Sequence, residues 1–110
     1  MAITNMAPML HFYSKVFGIT FKELDMYNAK LYSGEWCGMN LLFCPADIAS
    51  NTADQNRHQL DILVQDLDEL LERVKQNGGE QMAAILEDKV VRSVGIYDPD
   101  KNSILLKEYR

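Results

Sequence analysis

The segment 95–109 constrains the fold most, because it predicts two β-strands joined by a tight turn. Pro99 has the fixed φ that suits the first corner of such a turn. The polar side chains of the turn, each able to bond a nearby backbone amide, are Asp98, Asp100 and Asn102. The turn alone does not indicate a function, because many hairpins contain Asp-Pro-Asp.

The first half of the chain predicts a strand, a helix and three further strands. A short strand is expected at residues 2–4, and Asn5 is a suitable N-cap for a helix that ends at Gly18. The apolar stripe of this helix, spaced by three and four residues, is Met9, Phe12, Tyr13, Val16 and Phe17. The predicted strands that follow, with turns at Asn28 and at Ser33-Gly34, are Ile19 to Tyr27, Ala29 to Ser33 and Trp36 to Cys44.

The second half repeats this order of elements. After a strand at His58 to Val64, Asp66 can cap a helix and Glu69 can reach back to the cap. The buried stripe of that helix is predicted to be Leu67, Leu70, Leu71 and Val74. The three strands after Gly78-Gly79 are expected at Gln81 to Leu86, Val90 to Tyr97 and Ser103 to Tyr109. The chain thus predicts one domain of two βαβββ modules, about 1–44 and 58–110, joined by an exposed connector at 45–57.

Composition excludes several classes of protein. The net charge is −5 and the Lys and Arg residues are scattered, so a nucleic-acid partner is not expected. No apolar run is long enough for a membrane span. Cys37 and Cys44 lack zinc-site spacing and are interpreted as free thiols in a reducing compartment. These features favour a cytoplasmic protein that does not associate with membranes.

Three segments together resemble the vicinal oxygen chelate superfamily, which includes glyoxalase I, bleomycin resistance proteins and extradiol dioxygenases. They are residues 12–21, 58–68 and 95–109, and they occur in the order found in that family. The resemblance implies an α+β fold in which paired βαβββ modules form a curled mixed sheet of eight strands around a cleft, with helices on its convex side. It also implies a homodimer, because a second copy would bury the edge strands of each module.

Superfamily members that bind a divalent cation supply His or Glu from the first, fourth, fifth and last strands. The matching fifth-strand position here is Gln59, and the matching last-strand position is Leu105, whose side chain cannot ligate a metal. The first-strand position lies at or before Met1, and residues 40–44 of the fourth strand contain no carboxylate. We therefore expect no metal cofactor. A divalent ion remains the rival interpretation, if a bulge turns His58 inward or if Asp61 or Glu108 provides a ligand.

The family turn commonly reads Asp-Pro-Asp-Gly-Asn, and Lys101 occupies the glycine position here. Glycine takes a positive φ more easily than lysine does. We therefore expect a different turn type or a mildly strained backbone at Lys101.

Strand alternation predicts which side chains face the cleft. Leu60, Ile62 and Val64 should lie under the helices, with the residues between them toward the cleft. Asp61 and Lys107 are expected to approach each other, as an ion pair or as a substrate clamp. Trp36, near a hairpin tip, could stack on a planar ligand or form a dimer contact. The predicted ligand-binding set is Gln59, Asp61, Asn40, Ser93, Tyr97, Leu105, Lys107 and Trp36; no catalytic residue is assigned.

The leading expectation is a glyoxalase-like or bleomycin-resistance-like protein that binds a small organic molecule and has a degenerate metal site. One alternative is a metal-dependent lyase, isomerase or dioxygenase. Another is a non-catalytic accessory subunit whose cleft is filled by its own side chains. Whether the protein is an enzyme stays open at this point, because one fold hosts many functions.

Overall fold

A computed structural model of the chain describes residues 1–26, 29–45 and 60–109. The elements of the first module are β1 (Ala2–Ile3), α1 (Met6–Phe17), β2 (Lys22–Met26), β3 (Ala29–Trp36) and β4 (Met39–Pro45). Those of the second are β5 (Leu60–Leu63), α2 (Leu67–Gln76), β6 (Glu80–Gln81), β7 (Leu86–Glu87), β8 (Val91–Tyr97) and β9 (Ser103–Tyr109). Most of the predicted connector, together with His58 and Gln59, lies outside the described residues.

The α+β class and the paired modules are confirmed, and the described strands divide between two sheets. The first sheet has the order β1-β4-β3-β2, and the second has β5-β9-β8-β6 with β7 also paired to β8. The strand predicted at Gln81 to Leu86 is two short strands instead. The Gln81 side chain bonds the Ala83 carbonyl at 2.8 Å within this break, and this local turn interrupts the strand. The described residues therefore form nine strands where the sequence predicted eight.

The turn predicted at Ser33-Gly34 is wrong, because β3 continues to Trp36. The chain reverses at Cys37 and Gly38, whose φ angles of 53° and 76° both lie in the left-handed region. A two-residue turn with both φ values positive matches the twist of the flanking strands. Gly34 instead has a packing role, since an added Cβ would lie 2.7 Å from Ile19 Cγ2.

Both helices pack their predicted apolar faces into one core. In α1 the buried residues are Met9, Phe12, Tyr13 and Val16, and in α2 they are Leu67, Leu71 and Val74. On the sheet side this core contains Phe43, Ile62, Val94, Ile96, Ile104 and Leu106. The Asp66 carboxylate accepts a hydrogen bond from the Glu69 amide at 3.2 Å, which confirms the predicted cap of α2. Neither of these two helices is long and apolar enough to cross a membrane.

The turn between β8 and β9 buries a carboxylate against α1. The Tyr13 hydroxyl donates to Asp98 Oδ2 at 2.8 Å, and the Asn102 side chain donates to the same oxygen at 3.0 Å. The backbone amides of Asp100 and Asn102 donate to Asp98 Oδ1 at 2.9 and 3.0 Å. Burial raises the pKa of Asp98, although these hydrogen bonds oppose the shift. Burial, and secondarily the Asp98 charge, also raises the pKa of Tyr13.

Asp100 in the same turn caps α1 from the other module. Its carboxylate accepts from the backbone amides of Thr4 and Asn5 at 2.8 and 3.0 Å, and from the Asn5 side chain at 2.9 Å. Asn5 occupies the N-cap position, as predicted, but its side chain makes no capping bond. The carboxylate near the amino end of α1 also complements the helix dipole. The turn 98–102 therefore fastens the second module to the first, and we call it the inter-module turn.

The strain expected at Lys101 is confirmed, because its φ is 67°. A non-glycine residue with a positive φ is destabilised by about 1–2 kcal/mol. Replacement with glycine recovers only part of this free energy, because glycine loses more conformational entropy on folding. We therefore expect Lys101→Gly to raise the free energy of unfolding by about 0.5–1 kcal/mol in urea denaturation. The exposed ion pair of Lys101 with Glu80 contributes little to this balance. Lys101→Ala keeps the strain and loses the ion pair, so an equal gain in that variant would contradict the explanation.

Candidate functional site

The second sheet has one face covered by helices and one open face. Ile62, Val94, Ile96, Ile104 and Leu106 are buried on the covered face. The residues between them alternate to the other side, as the sequence predicted. We call this other side the open face; its side chains include those of Asp61, Leu63, Ser93, Tyr97, Ser103, Leu105 and Lys107.

Strand register places these side chains in rows across the sheet. Leu105 on β9 lies between Asp61 on β5 and Gly95 on β8. Met82 covers the glycine, since an added Cβ there would lie 2.7 Å from its sulfur. The centre of the open face is therefore Leu105, flanked by a carboxylate on one side and a thioether on the other.

The next row runs from Leu63 through Lys107 and Ser93 to Leu86. Its two ends are strongly exposed, with 65% of Leu63 and 74% of Leu86 accessible. Tyr97 and Ser103 form a further pair on the same face. The structure thus brings together five of the predicted site residues, which are Asp61, Ser93, Tyr97, Leu105 and Lys107.

The predicted approach of Asp61 and Lys107 is confirmed as an ion pair. Lys107 Nζ lies 2.9 Å from Asp61 Oδ2, with the two side chains 33% and 54% exposed. The hydrogen bond to Asp61, and then its charge, raise the pKa of Lys107. The pair joins neighbouring strands of one sheet rather than reaching across a cleft. Both charged ends remain accessible to a ligand.

Glu108 lies on the covered face and belongs to a different network. Its carboxylate accepts from the Leu67 amide at the start of α2 at 2.9 Å, and from Arg92 at 3.1 Å. Arg92 also pairs with Asp68 at 3.0 Å and Glu87 at 3.1 Å. Sequence reasoning did not identify this network, although the cross-strand position of Arg92 opposite Glu108 was readable from strand alternation. Glu108 is therefore unable to serve the open face from this position.

The other predicted site residues lie elsewhere. Asn40 is exposed on β4 of the first sheet, opposite Glu35. Trp36 is only 5% exposed, and its ring packs edge-on against Tyr13 with centroids 5.4 Å apart. This placement separates Trp36 from the five residues on the open face. Gln59 falls outside the described residues.

A groove that the sequence did not predict lies where the two modules meet. Its volume is about 330 Å³, and it extends along the outer side of β5 toward the β3–β4 turn. Its walls include Phe17, Trp36, Cys37, Leu63, Leu70 and Arg73. Among its described lining residues, only Leu63 is shared with the open face, so the groove and the open face are adjacent surfaces.

Potential metal ligands do not cluster in the part of the chain that the structure describes. Within residues 1–26, 29–45 and 60–109, no three His, Cys, Asp or Glu side chains come together in a group able to hold a metal ion. Asp61 is the one carboxylate in the row of Leu105, and it is paired with Lys107. The donor set of the open face therefore does not fit the three or more ligands that a divalent transition metal requires.

A comparison with family models identifies the family, and solved structures share the fold. A family model described as a glyoxalase-like domain matches residues 1–106. Among curated proteins, none matches the chain significantly. The fold is similar to that of several solved structures, each less than 20% identical in sequence.

One of these structures is the hypothetical protein SA1046 from S. aureus, with a TM-score of 0.81, 12% identity, and coverage of 98% of this chain and 88% of that one. A second is the fosfomycin resistance protein FosX from Listeria monocytogenes, with a TM-score of 0.77, 18% identity, and coverage of 98% and 87%. A third is a glyoxalase/bleomycin resistance protein/dioxygenase family enzyme from Burkholderia phytofirmans PsJN, with a TM-score of 0.75, 17% identity, and coverage of 100% and 94%. The matched residues and the paired-module fold place this chain in the glyoxalase-like domain family of the vicinal oxygen chelate superfamily.

Proposed function

We propose that the protein binds a small organic molecule on the open face of the second sheet and does so without a metal ion. In this respect it would act as a bleomycin-resistance-like or glyoxalase-like binding protein. Two similar structures carry names that refer to resistance against fosfomycin or bleomycin, which are small organic molecules. The proposal transfers only that general class of ligand to this chain.

The position of Leu105 is the observation that carries the proposal. It lies at the centre of the open face, and it occupies the last-strand position that the family resemblance assigns to a metal ligand. A leucine at this point offers apolar surface to a ligand and no oxygen to a metal. Leu63, Met82 and Leu86 extend that apolar surface, and all three are exposed. Exposed apolar patches of this kind are typical of ligand or partner sites.

A metal-dependent lyase, isomerase or dioxygenase is the rival function. The carboxylate nearest to Leu105 in its row is Asp61, and this group already pairs with Lys107. A cation at the same point would have to displace the ammonium group or lie beside it, and two positive charges in contact repel. The rival therefore requires a ligand set outside the open face as described.

We also propose that the chain forms a homodimer. Among the described strands, β1 and β5 each have a single hydrogen-bonded neighbour, so each leaves one edge open. Leu42 on β4 is exposed on the side of the first sheet that faces away from buried Phe43. Open strand edges and exposed apolar residues favour association of two chains. A symmetric dimer would cover these edges and the exposed leucine in both copies. Light scattering after gel filtration should give twice the chain mass of 12.6 kDa; a monomer mass at micromolar concentration would contradict the proposed dimer.

The binding proposal is tested with Nile red, an uncharged apolar dye, in buffer containing EDTA. We expect saturable fluorescence enhancement that Leu105→Glu weakens about tenfold or more, because a carboxylate would be desolvated beneath the dye. Val90→Glu is the matched control, since Val90 is exposed but lies outside the strands of the open face. This control should leave binding unchanged.

Elemental analysis of the purified protein completes this test. We expect far less than one divalent ion per chain, and dye binding that is the same before and after chelation. Stoichiometric metal, or dye binding that EDTA abolishes, would support the metal-dependent rival instead. Equal weakening by Leu105→Glu and Val90→Glu would show that the dye does not report on the open face.

A further inference from the structure

The open face contains one positive and one negative group in direct contact, with apolar residues beside them. Lys107 and Asp61 are 2.9 Å apart, and both side chains are partly exposed. On either side of the pair lie Leu63 and Leu105, each the direct cross-strand neighbour of one member. The charges are therefore a local feature that distinguishes one end of the surface from the rest.

We propose that the open face selects a zwitterionic small molecule, an amino-acid-like compound with an apolar side group. This inference rests on the proposed function, and it specifies the ligand class of the same site. The carboxylate of the ligand would accept hydrogen bonds from Lys107, and its ammonium group would donate to Asp61. Its apolar group would lie over Leu105 and Met82.

The hydrogen-bonding capacity of the pair supports two simultaneous bonds to a ligand. A lysine ammonium has three hydrogens and an ionised carboxylate has two oxygens, whereas the ion pair joins Nζ to Oδ2 alone. A ligand can therefore bond to both groups while they stay in contact. The two charges of an α-amino acid are separated by one carbon atom, which suits two complementary charges that touch each other.

The pair also disfavours ligands with a single charge. An anion at Lys107 would lie next to the Asp61 carboxylate, and a cation at Asp61 would lie next to the ammonium group. In each case the ligand meets a like charge at close range, which opposes binding in a partly desolvated site. The net charge of −5 adds no general attraction for anions. Charge complementarity thus favours the ligand that carries both signs.

Three probes that share one aromatic group separate these possibilities. They are L-phenylalanine, which carries both charges; 3-phenylpropanoate, which lacks the ammonium group; and 2-phenylethylamine, which lacks the carboxylate. Isothermal titration calorimetry should show that L-phenylalanine binds at least about tenfold more tightly than the other two, because each charge-assisted bond contributes at least that factor. Equal affinity for the acid or the amine would overturn the proposal.

Two charge-removing variants test the assignment of each bond. Lys107→Gln and Asp61→Asn should each weaken L-phenylalanine binding about tenfold, while Asp61→Asn should strengthen binding of 3-phenylpropanoate by removing the like charge. The matched control is Lys30→Gln, which breaks an exposed ion pair with Glu23 on the first sheet and should change neither affinity. Circular dichroism verifies that each variant is folded. Unchanged L-phenylalanine binding in Lys107→Gln would overturn the proposal.

Failure of this inference is distinguishable from failure of the proposed function. If none of the three aromatic probes binds while Nile red still binds and responds to Leu105→Glu, the zwitterion proposal is wrong and the binding proposal stands. If Nile red also fails to bind, both are wrong.

Discussion

Replacing Asp98 with alanine is expected to lower the free energy of unfolding by about 3–5 kcal/mol, the largest effect among the substitutions proposed for this protein. The change removes the acceptor for Tyr13, for the Asn102 side chain and for two backbone amides. Asp98 is 1% exposed, so water reaches these donors poorly once the carboxylate is lost. Urea denaturation measures the loss directly. A loss below 1 kcal/mol would show that the inter-module turn contributes little to stability.

Asp98→Asn is the matched variant, because the amide keeps the shape and does not titrate. Burial raises the pKa of native Asp98 above its ordinary value of 3.8, so the native state holds this proton at a pH where the unfolded chain has released it. The part of the stability that depends on this protonation is therefore complete below the unfolded pKa and is lost as pH rises through the native pKa. As pH rises through this range, we expect the free energy of unfolding of the wild type to fall relative to that of Asp98→Asn. A difference that moves the other way would contradict the raised pKa.

Gly79→Ala is expected to lower the free energy of unfolding by about 1–3 kcal/mol through overpacking. An added Cβ would lie 2.5 Å from Phe12 Cε2, 2.8 Å from the Tyr97 carbonyl oxygen and 2.8 Å from Val74 Cγ1. The carbonyl belongs to the backbone of β8 and the ring is fully buried, so neither neighbour moves easily. Gly79 joins α2 to β6, and the substitution therefore forces α1 away from the second module.

Gly95→Ala controls for the loss of a glycine from regular structure. An added Cβ there meets the Met82 sulfur at 2.7 Å, and this atom is near the end of a flexible side chain. We expect a loss below about 1 kcal/mol, because Met82 can adopt another rotamer. Thermal unfolding of the two variants side by side separates the effects. Equal losses of stability at both positions would show that close packing against Phe12 is not the reason why position 79 requires glycine.

Strand alternation made much of the open face predictable from sequence. Side chains of β5, β8 and β9 alternate strictly between the two faces of the sheet. Once the apolar residues under the helices are known, their neighbours in sequence are assigned to the other face. This is why Asp61, Ser93, Tyr97, Leu105 and Lys107 were assigned to one face, and why the Asp61–Lys107 contact was anticipated. The helices were predictable for the same kind of reason, since Met9, Phe12, Tyr13 and Val16 follow the α-helical period.

Contacts between distant segments could not be predicted from local patterns. Asp100 caps α1 from 95 residues away in the sequence, and the chain offers no periodic signal for that contact. The turn at Cys37 and Gly38 was missed because Ser33-Gly34 is also a plausible turn signal, whereas Gly34 lies within β3 and packs closely against Ile19. Trp36 lies near a hairpin tip, as predicted, but it ends β3 instead of starting β4, and it is buried. Tertiary packing therefore determined the features that sequence reasoning placed incorrectly.

Amide chemical-shift mapping tests the central claim most directly. Uniformly ¹⁵N-labelled protein in EDTA would be titrated with indole, a small uncharged aromatic compound. We predict saturable shifts centred on Ser93, Leu105 and Lys107, with little change around the groove at Cys37 and Arg73. Shifts confined to that groove, or shifts at the open face that occur only after a divalent metal is added, would contradict metal-free binding on the open face.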